Sequence, residues 1–454
     1  MQSPTHSAAL TDLPLQTALL RLAIPLTGTM ALETAFNFVN GYWVGRLGTS
    51  SLAAVNMCSF SIWMMMALTG TISTGSNAVI SRSVGARRHE ESRAVAWLSV
   101  VAALIWGAFL SLLASHYAQP YLRWQAGQLG DLESVVQAAT LYLQTIFLFA
   151  PIFCLNEVLA AILRAQSDAV TPLKVYTFGV LLNFALDPIF MFGWGPFPKM
   201  GLAGAAYASG LSFALMATLL LALVGYRMGW ALPRVRALGE ILRIGFPSSI
   251  TGAFFCFIYI LITPTVAAYG PSALAALGVG HRVESFSYLV SHGLALASIT
   301  LVGQHLGAGN PKQAFRAAWE ACRLVSYFML LSTVVLVAGA EPLARVFSDD
   351  PEVVERATLY LQWMSLAQWA TGLAVVLEGV MAGAGRPLLT MVVSTSSAAS
   401  RWPATTWGSK AWGLSGIWSA LVIARWIEAF LCIVVFLKSS VWRSAIDRKG
   451  QDSL

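Results

Sequence analysis

LLRLAIP, residues 19–25, returns in the second half of the chain as ILRIGFP, residues 241–247. Pro25 and Pro247 thus occupy equivalent positions, and the same offset relates LGTSSLAA at 47–54 to YGPSALAA at 269–276. Solenoids and propellers repeat roughly every 20 to 50 residues. A repeat this long is instead the size of half a transporter, in which related bundles enclose a binding site.

Further matches extend the repeat over nearly the whole chain and predict two copies of one fold. We expect an amino-terminal lobe at 1–226, a cytoplasmic linker at 227–240, where the chain becomes polar and basic, and a carboxy-terminal lobe at 241–454. The matching pairs are SVGARR (83–88) with HLGAGN (305–310), ATLYLQ (139–144) with an identical stretch at 357–362, and GLAGAA (201–206) with GLSGIW (413–418).

The composition indicates a lipid environment. Apolar residues make up 57% of the chain, charged residues only 11%, and the mean hydropathy is +0.68. Stretches of about 20 apolar residues, the length that crosses the hydrocarbon core, occur six times in each half. The sequence therefore predicts an all-α membrane protein with 12 transmembrane helices in two homologous six-helix bundles.

The basic residues support this count, since they concentrate in alternate connections between the apolar stretches. Such loops are cytoplasmic in most membrane proteins, and both termini fall on the basic side, as an even number of spans requires. The net charge of +7 thus indicates topology and contact with anionic lipids rather than nucleic-acid binding. Residues 1–17 lack the pattern of a removable signal peptide, so we expect the first span to direct insertion.

Several classes of chemistry are disfavoured. The five cysteines are scattered through apolar stretches without the spacing of a disulfide framework or zinc site, so we expect no metal centre and no cofactor. The chain has no phosphate-binding GxxxxGK[ST] loop, which makes an ion gradient its expected source of energy. It also lacks GxSxG and HExxH motifs, which disfavours an integral membrane enzyme. A channel is disfavoured only weakly.

Six motifs in order resemble the multidrug and toxin extrusion (MATE) transporters, particularly the bacterial DNA-damage-inducible (DinF-like) branch. The resemblance implies a V-shaped, twelve-helix antiporter of a bacterial inner membrane, expected to be monomeric. It implies export of drug-like, often cationic compounds in exchange for H⁺ or Na⁺. A lipid-linked precursor flippase of the same superfamily is the alternative. The motifs are FNFVNGYWVGRLGTSSLAAV from Phe36, RAQSDAVTPLK from Arg164, LLNFALDPIFMFG from Leu181, GLAGAAYAS from Gly201, HRVESF from His281 and LVGQHLGAGNPKQA from Leu301.

Asp187 is the first candidate for cation coupling. It lies deep in an apolar stretch, where a carboxylate is costly and usually functional, and it matches the acidic residue of the family's LDP motif. Asn183 shares its helical face, and Pro188 leaves a backbone carbonyl without its helical partner. The resembled branch carries an aspartate in the first helix where this chain has Asn40, which cannot titrate.

The amino-terminal lobe contains further polar candidates. Glu33 lies two turns before Asn40 on nearly the same face, and we expect it to assist Asp187 and Asn40 in coupling or to attract cationic substrate; a neutral structural carboxyl is an equal alternative. The expected lining of the substrate cavity is Phe36, Asn156, Glu157 and Ser209.

A polar stripe marks the carboxy-terminal lobe, since His281, Glu284, Tyr288 and His292 are three or four residues apart on one helical face. The stripe could relay protons, hold Na⁺ (at Glu284) or an organic cation, or be a hydrogen-bonded structural face, and these alternatives stay open. Asp187 is the other possible Na⁺ site. Arg425 and Glu428 are three residues apart and are expected to pair. Arg401 is the approximate repeat counterpart of Asp187.

Overall fold

A computed structural model of the chain describes residues 10–126, 133–195 and 197–442. This part is helical throughout, with no strand among the described residues. Two short 3₁₀ helices, Leu10–Asp12 and Val235–Ala237, accompany the α-helices. The α-helices are α1 Leu15–Gly45, α2 Thr49–Gly85, α3 His89–Ala126, α4 Glu133–Leu148, α5 Ala150–Ala165, α6 Val170–Phe192, α7 Leu202–Met228, α8 Leu238–Ala267, α9 Pro271–Gly307, α10 Pro311–Arg345, α11 Pro351–Gly383 and α12 Leu388–Lys438.

These helices supply twelve membrane spans. Ten are individually long and apolar enough to cross a bilayer, and α4 and α5 together form one more span, bent by 45°. Helix α12, one of the ten, is 51 residues long and is interrupted at Trp412 and Gly413, so it consists of two helices. The described part of the chain thus confirms the predicted all-α membrane fold.

The sequence repeat is also a repeat of the backbone. Helices α2 and α9 both have 37 residues, and they begin and end at equivalent positions of the repeat. Helix α11 likewise covers the equivalents of the whole α4–α5 pair. The turn before α7 and the break in α12 have nearly the same conformation, with φ/ψ of 58°/−134° at Gly201 and 61°/−142° at Gly413. Because φ near +60° favours glycine, the glycine in both copies of the repeated motif specifies this tight corner.

The copies differ where proline interrupts a span. The stretch 138–163 reads as one continuous span in the sequence, yet the structure divides it between α4 and α5. Pro151 lies in the first turn of α5, where its missing N–H is tolerated, and it cannot continue the helix from α4. The equivalent position in α11 is Trp369, and α11 continues unbroken.

The chain forms two compact units, each with its own interior. Of the described residues, the amino-terminal unit comprises 28–84, 88–126, 133–195 and 197–249, and the carboxy-terminal unit comprises 250–442 with 10–27 and 85–87. Within the amino-terminal unit the start of α8 packs closely on α2, because a Cβ on Gly245 would lie 1.7 Å from the Thr71 carbonyl oxygen. The division at 226 and 241 expected from the sequence stays a prediction.

Three connections meet at one end of the amino-terminal unit. Arg234, between α7 and α8, lies 3.3 Å from Glu91 at the start of α3, and Arg227 at the end of α7 pairs with Asp168 between α5 and α6. Burial alone would raise the pKa of Asp168, but hydrogen bonds from Arg227 and Thr171 hold it below its ordinary value of 3.8. The basic connections that the sequence places on one side therefore do share one end of this unit.

Candidate functional site

The centre of the candidate site is Asp187 in α6, which is fully buried. Its Oδ1 accepts a 3.2 Å hydrogen bond from Nδ2 of Asn183, one turn earlier, as the spacing predicts. Within the described residues, its Oδ2 has no hydrogen-bond partner. Pro188 follows directly inside the helix, so the backbone beside this carboxyl lacks one hydrogen bond. A buried carboxylate oxygen without a donor can accept a proton or a cation.

Tyr142, from another helix, lies near Asp187 and connects it to Asn40. The buried Tyr142 of α4 interacts electrostatically with Asp187 and lies beside Asn40 of α1. The half-buried Asn40 also has an amide oxygen, Oδ1, without a partner among the described residues. Asn40 and Asp187, which the sequence assigns to one site, therefore share Tyr142 as a neighbour. The amide of Asn40 can bind a cation or a hydroxyl group but cannot release a proton.

Glu33 belongs to a second polar layer. It interacts with Glu157 and Arg164 of α5, and the Tyr176 hydroxyl of α6 donates a 2.8 Å hydrogen bond to Oε1 of Glu157. Nη2 of Arg164 lies 4.0 Å from Oε2 of Glu157. The separation of this layer from the Asp187 layer follows from helix geometry, since Glu33 precedes Asn40 and Tyr176 precedes Asn183 by seven residues, about 10 Å along each helix.

Sequence reasoning did not identify Tyr142, Tyr176 and Arg164 as site residues. Tyr142 could have been found from the repeat, because ATLYLQ recurs with a tyrosine, Tyr360, at the equivalent position. Arg164 lies in the RAQSDAVTPLK motif and is almost completely buried. A buried arginine needs an acidic partner, which points toward Glu157.

The other expected cavity residues lie in α1, α5 and α7, and their role as cavity lining stays a prediction. Nδ2 of Asn156 donates to the backbone carbonyls of Phe213 (2.7 Å) and Ile152 (3.1 Å), so it ties α5 to α7. The Phe36 ring meets the Phe213 ring edge-on, with 5.7 Å between centroids. Ser209 is buried within α7. These contacts shape the interior around the two polar layers.

The polar stripe of α9 divides into two parts in the carboxy-terminal unit. Glu284 accepts hydrogen bonds from the Tyr360 hydroxyl (2.6 Å) and from Nε2 of Gln368 (3.1 Å), while the His281 ring packs against Tyr360. Farther along, Tyr288 stacks on His292. Tyr142 and Tyr360 are repeat equivalents, and each lies beside a carboxyl group in its own unit.

The same unit also contains a charged cluster on α12. Glu428 is buried and bridges two arginines, with 2.5 Å to Nη2 of Arg401 and 3.3 Å to Nη1 of Arg425. The expected pairing of Arg425 with Glu428 is thus confirmed, and Arg401 joins it. Both guanidinium groups also lie over the Phe255 ring, at 6.0 and 5.3 Å from its centroid. The described residues contain no group of three or more His, Cys, Asp or Glu side chains placed to hold a metal ion.

Twelve spans in two related copies, with carboxyl groups buried among apolar helices, define the class of secondary membrane transporters. The chain belongs to the MatE family, whose sequence model matches residues 25–189 and 247–406. This confirms the resemblance seen in the motifs and shows a transporter rather than an enzyme.

Relatives align over nearly their full lengths. The probable multidrug resistance protein NorM of Thermotoga maritima is 27% identical over 94% of this chain and 93% of its own. An FAD transporter of Shewanella oneidensis is 26% identical over 92% and 94%, and the multidrug export protein MepA of Staphylococcus aureus is 23% identical over 93% and 94%.

Solved structures show the same fold. A crystal structure of MATE in the bent conformation has 23% identity and a TM-score of 0.88, covering 98% of this chain and 100% of its own. The Vibrio cholerae MATE transporter VcmN in its bent form has 23% identity and a TM-score of 0.85, covering 95% of this chain and 98% of its own.

Proposed function

We propose that the protein exports drug-like organic cations by alternating access, in exchange for H⁺ or Na⁺ bound at Asp187. The observation that carries this proposal is the buried carboxyl group of Asp187, with one oxygen bonded to Asn183 and the other without a donor among the described residues. The relatives named for multidrug resistance and export support the choice of substrate.

The chemistry follows from the cost of an isolated charge in an apolar interior. A proton or Na⁺ neutralises Asp187, and its release restores a negative charge that a cationic substrate can balance. The single negative charge of Asp187 can be balanced by the ion or by a cationic substrate, but not by both at once. Binding of the ion and binding of the substrate are therefore mutually exclusive. Pro188 removes one backbone hydrogen bond from α6, so the helix can bend at this position when the charge of Asp187 changes.

Asn40 and Glu33 have supporting roles in this proposal. The Asn40 amide orients the Tyr142 hydroxyl or the bound ion beside Asp187. Glu33, with Glu157 and Arg164, forms the second polar layer, two helical turns away, through which a cation passes to or from Asp187.

The protein functions as a monomer in a bacterial inner membrane with both termini in the cytoplasm, and its lobes divide at 226 and 241.

The test is dye efflux from proteoliposomes under an imposed pH gradient and, separately, under a Na⁺ gradient. We expect wild type to respond to one gradient and Asp187→Asn to lose that response. Asp168→Asn is the matched control, because it makes the same change outside the membrane-spanning helices and should retain coupling. Coupled transport by Asp187→Asn would refute the assignment, and thermal unfolding checks that both variants fold.

A second substrate class is favoured by a separate observation. The relative from Shewanella oneidensis is an FAD transporter, and the carboxy-terminal unit contains two neighbouring arginines that both pair with Glu428 and also interact with Glu378. Such a cluster suits a substrate with an anionic group. The same proteoliposomes loaded with FAD distinguish the two classes; if neither dye nor FAD moves, a lipid-linked precursor flippase is the remaining alternative.

A further inference from the structure

The connection between α7 and α8, residues 229–237, carries large apolar side chains that are highly exposed. Leu232 is 90% exposed, Trp230 76% and Val235 70%. This segment is outside the transport site and has no part in the proposed function. A water-exposed connection would not favour three large apolar side chains, so their presence needs a covering partner.

The segment is held in place by contacts with α3. The Trp230 ring stacks on the Trp97 ring, with 4.1 Å between centroids and 17° between planes, and Nε1 of Trp97 donates a 2.9 Å hydrogen bond to the Gly229 carbonyl. The Arg234 backbone N–H donates to the Ala94 carbonyl at 3.4 Å, and its guanidinium lies 3.3 Å from Glu91. The outward direction of Leu232 and Val235 is therefore fixed by the fold.

Uncompensated positive charge lies beside these apolar side chains. Between residues 227 and 243 the chain has four arginines and one acidic residue, Glu240. Arg227 and Arg234 are paired with Asp168 and Glu91, and Glu240 is paired with Arg82. Within the described residues, Arg236 and Arg243 take part in none of the ion pairs. The two remaining arginines thus have donors for an external anion.

The position of residues 229–237 at the start of a membrane span indicates that their partner is lipid. The apolar span that contains α8 begins at Val235, so the segment lies where a span enters the membrane. Tryptophan is enriched at this interfacial depth, and arginines there attract anionic headgroups. Exposure of Leu232 to water is unfavourable because it is apolar, and burial of Arg236 in the hydrocarbon core is unfavourable because it is charged. At the membrane interface Leu232 can contact acyl chains while Arg236 contacts headgroups.

We propose that residues 229–237 form an interfacial anchor that binds anionic phospholipids. Leu232 and Val235 insert among the upper acyl chains, while Arg236 and Arg243 contact the headgroup phosphates. The stack of Trp97 on Trp230 fixes the anchor to α3, so that it positions this end of the amino-terminal unit against one leaflet.

The experiment places a fluorophore at Leu232→Cys. The native cysteines Cys58, Cys154, Cys256 and Cys432 are buried and Cys322 is half-buried, so a Cys322→Ala background directs labelling to position 232. The protein is reconstituted in phosphatidylcholine with increasing phosphatidylglycerol, and either lipid is brominated to quench the label. Leu112→Cys on α3, which is 70% exposed in the middle of a span, is the control position.

We expect brominated phosphatidylglycerol to quench the label at 232 in preference to brominated phosphatidylcholine, with no preference at 112. Arg236→Gln and Arg243→Gln should each lower the preference by about fivefold. Equal quenching by the two lipids in the arginine-containing protein would overturn the proposal, as would quenching by aqueous iodide. A label shielded from iodide and from both lipids would indicate a protein partner instead, which also overturns it; Val235→Cys repeats the test if Leu232→Cys does not fold.

Discussion

The turn between α2 and α3 should be strained, and the repeat supplies its unstrained counterpart. Arg87 has a φ of 58°, and its repeat equivalent Gly309, in the turn between α9 and α10, has a φ of 72°. A residue with a Cβ loses roughly 1–2 kcal/mol in this left-handed conformation, whereas glycine loses about 0.5–1 kcal/mol more chain entropy on folding. The difference predicts that Arg87→Gly stabilises the protein by about 0.5–1 kcal/mol.

The reverse change tests the same reasoning in the other copy. A Cβ on Gly309 would meet nothing within 4 Å, so Gly309→Ala isolates the backbone cost and should destabilise by about the same 0.5–1 kcal/mol. Thermal unfolding in detergent would move by about 1–4 °C in opposite directions for a unit of this size. Arg87→Gln, which removes the same charge but keeps a Cβ, should gain less than Arg87→Gly.

Two results would contradict the assignment of strain to this turn. If Arg87→Gln and Arg87→Gly gave equal gains, removal of the charge rather than relief of the backbone would be responsible. If Gly309→Ala left the unfolding temperature unchanged, the positive φ at this turn would carry no measurable cost.

Three further predictions concern stability. Glu428→Gln should cost about 3–5 kcal/mol because it removes the carboxylate that pairs with both Arg401 and Arg425. A smaller loss than that of Arg425→Gln, measured by the same unfolding assay, would contradict the bridging role. The pKa of Asp168 is lower in the folded than in the unfolded state, where it is about 3.8, so the ionised Asp168 stabilises the folded state above that pH, and this stabilisation is lost as the pH falls through the folded pKa. The unfolding temperatures of wild type and Asp168→Asn should therefore converge below about pH 4. A constant difference from about pH 7 to 3 argues against the ion pair. Gly245→Ala should lower the unfolding temperature strongly, since its Cβ would lie 1.7 Å from a backbone oxygen, whereas Gly239→Ala meets nothing within 4 Å; similar behaviour of the two variants would show that α8 shifts freely.

The helices were predictable because both signals that specify them are local. Apolar stretches of spanning length indicate where the chain crosses the membrane, and the repeat indicates that the second copy has the same helix boundaries. The bend between α4 and α5 was missed because hydropathy does not register one proline inside an apolar stretch. The Asn183–Asp187 and Arg425–Glu428 contacts were also predictable, since they join residues three or four apart on one helix.

The remaining contacts depend on which helices become neighbours. Glu33 and Asp187 read as one group because each is a rare acid in an apolar span, yet Glu33 lies with Glu157 in a layer of its own. Likewise the α9 stripe reads as a single path, but Tyr360 and Gln368 of α11 bind Glu284. The long sequence separations of these partners leave no local pattern to detect.

Composition, hydropathy and repetition were enough to predict the membrane environment, the twelve spans and the two-copy organisation, because these properties can be read without coordinates. The family was indicated separately, by the resemblance of six motifs. The grouping of the buried charges required the folded arrangement of the helices: Asp187 with Tyr142, Glu33 with Glu157, and Arg401 with Glu428. A buried charge or polar group must be satisfied by whichever side chain packs against it. That neighbour is set by the packing of helices within each unit and not by nearby residues in the chain.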